Sequence, residues 1–548
     1  MKNLISLFIL MVLFQCHPAN NRKPLLDLAK TQGELSAVEF LTLATDKYKL
    51  NDKQQTAALG AFVRVQKKEH AIELLGKLVA TKTFFNPDTE PGQNPEFKKA
   101  AAIIKSFCKQ HQLKFSNHYG KIYEVTLDGS AGSPLAIYTH LDTVAAIAEN
   151  WVMPDKTAFD PFELNRVEGK LYGRGAEDDK GSIASALTAM SVIATLPKAK
   201  RPMIRLFIET TEETGGGGFK YYLERNKIPK RNIVLDSRYP VVVAEKGYGT
   251  LSLFFEIKKP GAENLPQVVF FRGGMARNQI PGTAAFKIAG GQLASVSKVI
   301  QENSPKWNAN FGKEFSLTTE KKGDQLWLTC KGISAHASAP QDGLNPVSRC
   351  LHIIDDLHKE QALVENAYTQ AAALAVALFG LNETGEKMQI NYQDSFMGPF
   401  TAAVTFLQQK DNKLELAVNL RAPKGRPTAS TKEKINAAIT AYQAKNGLPS
   451  SWNVSLEEPM TRNPDQPWIK ELLTIFEEVT GKPGTPRAES GATTARQIPN
   501  AVNFGPAMPG EKYRGHTALE YKTEQNLEYD LQMFTEMMMR IPGLDQTR

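Results

Sequence analysis

Cysteine is scarce in this chain, with four in 548 residues at positions 16, 108, 330 and 350. Their spacing matches no zinc ribbon, so no disulfide framework is implied. Setting Cys16 aside, Cys108, Cys330 and Cys350 are expected to be small buried apolar side chains, with pairing of Cys330 and Cys350 in an oxidising compartment as the alternative. Long apolar runs are also missing. The longest, Leu4 to Phe14, is about half the ~20 residues that span a bilayer. The net charge of +8 and pI near 9.0 come without any RNP or zinc-finger signature. The excess is therefore read as solvated surface, with no nucleic-acid partner. Gly173-x-Gly175 lacks the third glycine of a dinucleotide loop, and GGGG at 215 to 218 lacks the Lys-Ser/Thr of a phosphate loop. There is no internal repeat.

The N-terminus does carry a pattern. Lys2, the apolar run and then Cys16 before a polar stretch are ordered as an export signal over residues 1 to 20. Leu13 three residues before Cys16 is similar to a bacterial lipoprotein signal, although Phe14 and Gln15 replace the usual small residues. The expected location is outside the cytoplasm, in a periplasm, with a lipid anchor if Cys16 is acylated and simple cleavage otherwise.

The length calls for at least two domains. Apolar spacing of three and four predicts a helical extension over 21 to 64 that continues toward 82. A first part of an α/β catalytic domain follows at 65 to 248, where apolar strands such as PLAIYTH and MIRLFIET alternate with helices such as SIASALTAMSVIATL. Alternating stretches such as KLELAVNLRAP suggest an inserted α+β lid over 249 to 456. The first domain resumes over 457 to 548. The fold class is thus a helix-covered mixed α/β sheet with an inserted domain.

Four strand-like stretches of the first half lead into metal-competent side chains. In an open α/β sheet such strand ends gather at one crevice. His140 and Asp142 lie two apart and share a face if the backbone stays extended, so Asp142 can accept the ring proton of His140. Asp178 and Asp179 precede a strong helix and are otherwise explained as helix-start acids, a description that suits Asp179. Glu212 and Glu213 follow MIRLFIET directly, and adjacent side chains in a turn can point to different places. Asp236 closes NIVLD and needs a partner if buried. His336 in GISAHASAP, Asn278 in FRGGMARNQIPG and Arg421 in VNLRAPKG carry no chemistry singly.

Together these segments are similar to the di-zinc metallopeptidase family of carnosinases, glutamate carboxypeptidases, aminoacylases and desuccinylases, with the nearest likeness to PepV-type dipeptidases. The resemblance runs over about 65 to 540, through YGRGAEDDKG, TTEETGG, LDSRYPVVVAEKG, FRGGMARNQIP, KGISAHASAPQDGLN, VNLRAPKG, SGATTAR and FGPAMPG before His516. It implies one zinc on His140, Asp178 and Asp236, and another on Asp178, Glu213 and His516, with Asp178 bridging. Cobalt or manganese could stand in for zinc. The resemblance further implies Glu212 as general base, Asp142 behind His140, and His336 reaching the reacting carbonyl. HLDTVA departs from the usual His-x-Asp-Val-Val-Pro, and Leu519 replaces a customary Asn before Glu520.

Coordination lowers the pKa of a bridging water toward about 7. Glu212 would then take its proton and return it to the departing amine while zinc and His336 steady the oxyanion. Arg421, helped by Asn278 and Gly491, would grip a free C-terminal carboxylate, which points to dipeptides or short peptides and to closure of the domains on the substrate. The alternatives are an N-acyl amino acid deacylase or desuccinylase and, less simply, an exported peptide-binding protein without catalysis. A monomer is expected, with a dimer as the other family habit.

Overall fold

A computed structural model of the chain describes residues 22–257, 265–274 and 276–544. The leader expected at 1 to 20, with Cys16, lies outside them. Among the described residues no helix is long and apolar enough to cross a membrane.

Three strands lie side by side and parallel. Leu135–His140 pairs with Ile204–Glu209 on one side and with Arg231–Val234 on the other. The register sets His140 opposite Glu209, and Tyr138 opposite both Phe207 and Val234. Ala501–Asn503 continues the parallel run beside Arg231–Val234. Antiparallel strands flank it, with Ile122–Leu127 and then Lys114–His118 at one side and Val241–Glu245 at the other. All residues of Leu135–His140 are buried. A strand covered on both faces reads as a continuous apolar run, which is why PLAIYTH was legible. The sheet is mixed and helix-covered, as expected.

Helix Lys180–Ile193 is buried along its whole length, and its Ala and Ser content lets it pack closely on every side. The N-terminal residues form helices Lys23–Thr31, Ala37–Tyr48, Asp52–Gln66 and Lys68–Val79. Two of them start on capping boxes, Ser36 with Glu39 and Asn51 with Gln54. Leu59, Phe62 and Leu78 from these helices share one core with Ile137, Ile183 and Leu206 of the sheet region, and with Met533 and Met537 of the C-terminal helix Glu524–Gly543. Arg22 pairs with the buried Glu536 and with Glu478.

The described chain divides into two compact units. The first takes in the described residues of Met1–Val243, Arg462–Arg487 and Thr493–Arg548; the second is Ala244–Thr461 with Ala488–Ala492. The second unit is built on an eight-stranded sheet, antiparallel throughout, with helix Pro346–Lys359 on its apolar face. Here one expectation is corrected. Cys330 on strand Gln325–Lys331 and Cys350 on that helix are bonded as a disulfide, with Cα atoms 6.1 Å apart, within the span a disulfide requires. Sequence spacing could not reveal this pair, because helix-on-sheet packing brings it together. Cys108 is buried and unbonded.

Candidate metal centre

Parallel strands place their carboxyl ends along one edge, and the candidate ligands leave from that edge. His140 ends its strand, Glu212 and Glu213 follow Ile204–Glu209 in a short 3₁₀ turn, and Asp236 lies two residues beyond Arg231–Val234. Asp178 comes from the turn before helix Lys180–Ile193 across a cis Asp178–Asp179 peptide. His516 stands at φ +64° in the segment after Ala501–Asn503.

Five of the six side chains meet. Asp178 turns one oxygen to each imidazole: His140 Nε2 lies 2.9 Å from Oδ1, and His516 Nε2 lies 3.1 Å from Oδ2. His140 Nε2 is also 3.8 Å from Asp236 Oδ1, and His516 Nε2 is 2.9 Å from Glu213 Oε2. Two groups result, His140 with Asp178 and Asp236, and Asp178 with Glu213 and His516. Within each group one donor atom per residue lies within 4.8 Å of the others. Tetrahedral zinc with bonds near 2.0–2.2 Å holds its ligand atoms about 3.4 Å apart. The observed 2.9 to 3.8 Å brackets that value, and mixed imidazole and carboxylate donors are the set zinc accepts. The residues therefore fit two divalent ions sharing Asp178.

Burial raises the Glu212 carboxyl well above its usual range, and the nearby Asp236 charge adds to this. Burial alone would lower His140, but hydrogen bonding with Asp142, Asp178 and Asp236 raises it well above the ordinary imidazole value.

Two further expectations are refined. The strand ends at His140, and Asp142 lies two residues beyond it. His140 Nδ1 meets the main-chain oxygen of Asp142 at 2.9 Å, with the carboxylate at 3.5 Å. That carboxylate instead accepts the amides of Glu212 at 3.2 Å and Glu213 at 2.9 Å. Asp179 stands at the start of helix Lys180–Ile193 as expected, but it is fully buried, makes no side-chain cap bond, and accepts from Thr139.

Several supporting residues carried no sequence signal. Glu520 Oε1 accepts the amides of Glu177 at 3.0 Å and Asp178 at 3.1 Å, while its other oxygen pairs with Arg174. The buried Lys180 reaches the C-terminal turn of helix Lys68–Val79, donating to Leu78 O at 3.0 Å and Thr81 O at 2.7 Å. Thr83 Oγ1 donates to Leu141 O at 2.8 Å. Tyr513 donates to Asp178 Oδ2 at 2.6 Å.

The other candidates belong to the second unit. His336 is exposed, pairs with Gln279 across a short ladder, and has Nδ1 2.6 Å from Ser338 Oγ. Asn278, its neighbour in space, accepts the Ala337 amide at 2.8 Å. Arg421 is buried rather than a surface residue. Its Nε donates to Asn419 Oδ1 at 3.0 Å, and its Nη1 lies 3.5 Å from the oxygen of Ser490, next to Gly491.

Compared with known proteins, residues 136–540 match the model of Peptidase family M20/M25/M40. The Beta-Ala-Xaa dipeptidase of Lactobacillus delbrueckii subsp. lactis is 26% identical over 489 residues, covering 87% of this chain and 96% of that protein. Among solved structures, human carnosine dipeptidase 1 superposes with a TM-score of 0.54 at 14% identity, covering 90% of this chain and 99% of its own. The di-peptidase Dug1p of Saccharomyces cerevisiae does so with a TM-score of 0.51 at 11% identity, covering 88% and 97%. These two show likeness of fold.

Proposed function

Because this chain belongs to Peptidase family M20/M25/M40 and is thereby a metal-dependent hydrolase of peptide bonds, we propose that it cleaves dipeptides or short peptides bearing a free C-terminal carboxylate. One observation carries the chemistry: Asp178 faces both ligand groups, while Glu212, beside them in sequence and held by Asp142, belongs to neither. Two divalent ions, zinc in this proposal, would be held by His140, Asp178 and Asp236 and by Asp178, Glu213 and His516, and when bound would supply Lewis-acid polarisation and an acidified water.

The protein's own part is proton handling and orientation. A Glu212 oxygen takes the proton of the attacking water and delivers it to the departing amine. Burial of Asp178 and His140 keeps bulk water from competing. In the second unit, His336 is assigned to the developing oxyanion, and Arg421 with Asn278 and Gly491 to the terminal carboxylate. The likeness to dipeptidases and the buried setting of Arg421 support this. Export and an anchor at Cys16 form part of the same proposal. The Cys330–Cys350 bond supports an oxidising compartment, and mass spectrometry of the mature N-terminus tests it.

The central test is Glu212→Ala. Two metal ions should remain bound and turnover should fall by about 10²–10⁴. Undiminished hydrolysis would remove Glu212 from the reaction.

A further inference from the structure

Asp178 has one oxygen facing each ligand group, and that division needs the carboxylate to be held in a single rotation. Glu520 fixes the backbone through the amides of Glu177 and Asp178, but an amide bond to the main chain does not set the side-chain torsion. Tyr513 does. Its hydroxyl donates to Asp178 Oδ2 at 2.6 Å, on the oxygen that also faces His516. A carboxylate oxygen has two lone-pair directions, so Oδ2 can accept Tyr513 on one and still offer the other as a ligand.

Two more features hold this contact. The next amide, of Arg514, donates to Glu177 Oε2 at 2.8 Å, so residues 513 and 514 are tied to 177 and 178 by successive bonds. Gly515 leaves room for the phenol, since a Cβ there would lie 2.4 Å from the Tyr513 hydroxyl oxygen. His516 follows one residue later. The bond from Tyr513 therefore orients Asp178 and also sets the approach of His516 to Asp178 and Glu213.

We propose that Tyr513 is a positioning residue for the paired metal site: it locks Asp178 in its bridging rotation and docks the His516 segment, acting most on the group of Asp178, Glu213 and His516. The inference rests on the two-metal reading above. Partners of this kind commonly change metal affinity by about 10–100-fold.

The test titrates Co2+ into the metal-stripped full chain, comparing Tyr513→Phe, which keeps the ring, with the unsubstituted protein. Affinity for the second Co2+ should fall about 10–100-fold, its visible absorption band should shift, and the melting temperature of the metal-free protein should hold. Gly515→Ala should also weaken the second site, because a Cβ there would meet the Tyr513 ring as well as its hydroxyl. Two Co2+ bound by Tyr513→Phe with unaltered affinity and spectrum would overturn this role while leaving the two-metal reading standing. Failure of the unsubstituted chain to bind two Co2+ would overturn both.

Discussion

Asp142 accepts the amide of Glu213 at 2.9 Å. With the Glu212 amide on its other oxygen, the aspartate orients the turn that carries both the proposed base and a ligand. Asp142→Asn retains one acceptor and loses the charge that makes such bonds strong. We expect kcat/KM to fall about 10–100-fold with metal content unchanged. Steady-state kinetics alongside elemental analysis checks this, and loss of both ions would point to a direct ligand role instead.

Lys180 is fully buried and spans from the Asp178 turn to Leu78 and Thr81. Burial lowers the Lys180 amine to about 7, and it donates to carbonyls at the end of helix Lys68–Val79. Leu78 O also accepts from Thr81, and Thr81 O from the Thr83 amide, so Lys180→Met removes one donor from each and should destabilise the protein by about 1 kcal/mol, measured by denaturant unfolding. Hydrogen exchange should rise at residues 78 to 83, and a variant as stable as the parent would show the contact to be dispensable.

Glu478 links the N-terminal helices to the C-terminal helix through Arg540 at 2.8 Å, Lys53 at 2.9 Å and Arg22 at 2.6 Å. Burial works against its charge, but these cations draw its pKa from 4.5 to about 2. A depressed carboxylate contributes stability that is complete above the unfolded value and is lost as pH falls through the folded one. After allowance for screening, the loss between about pH 4.5 and 2 should be on the order of 1–2 kcal/mol. Glu478→Gln should flatten that part of the stability–pH curve, and an unchanged slope would assign the acid limb elsewhere.

Arg421 is the residue on which the free-carboxylate preference rests. Replacement by Lys keeps a charge but loses the planar fork. We expect KM for a dipeptide to rise at least about 10-fold, with little change for the corresponding peptide amide. Comparing dipeptides with N-acetyl and N-succinyl amino acids separates peptidase from deacylase. Faster release from the acyl amino acids would favour the latter.

The catalytic sheet and its site were legible in different ways. PLAIYTH, MIRLFIET and NIVLD announced themselves because strands buried on both faces are continuous apolar runs, and the acids and histidine just beyond them gave the candidate ligands. Lys180, Glu520 and Tyr513 left no such trace. Tyr513 and Asp178 are 335 residues apart, and a hydroxyl in a polar loop has no periodicity to betray its partner. Asp142 was legible only in part: its carboxylate lies 3.5 Å from His140 Nδ1, but its main-chain oxygen is nearer at 2.9 Å, a distinction that two-residue spacing cannot make.

By itself the sequence determined which residues are candidates for holding metal and in what kind of fold, because burial pattern and metal-competent side chains are local properties of the chain. The tertiary structure alone decided which atom of each residue faces which neighbour. It split the oxygens of Asp178 between His140 and His516, turned Asp142 toward the amides of Glu212 and Glu213, and joined Cys330 to Cys350. Hydrogen bonds and ligand geometry act over about 3 Å, a distance at which only packing, and not sequence spacing, selects the partner.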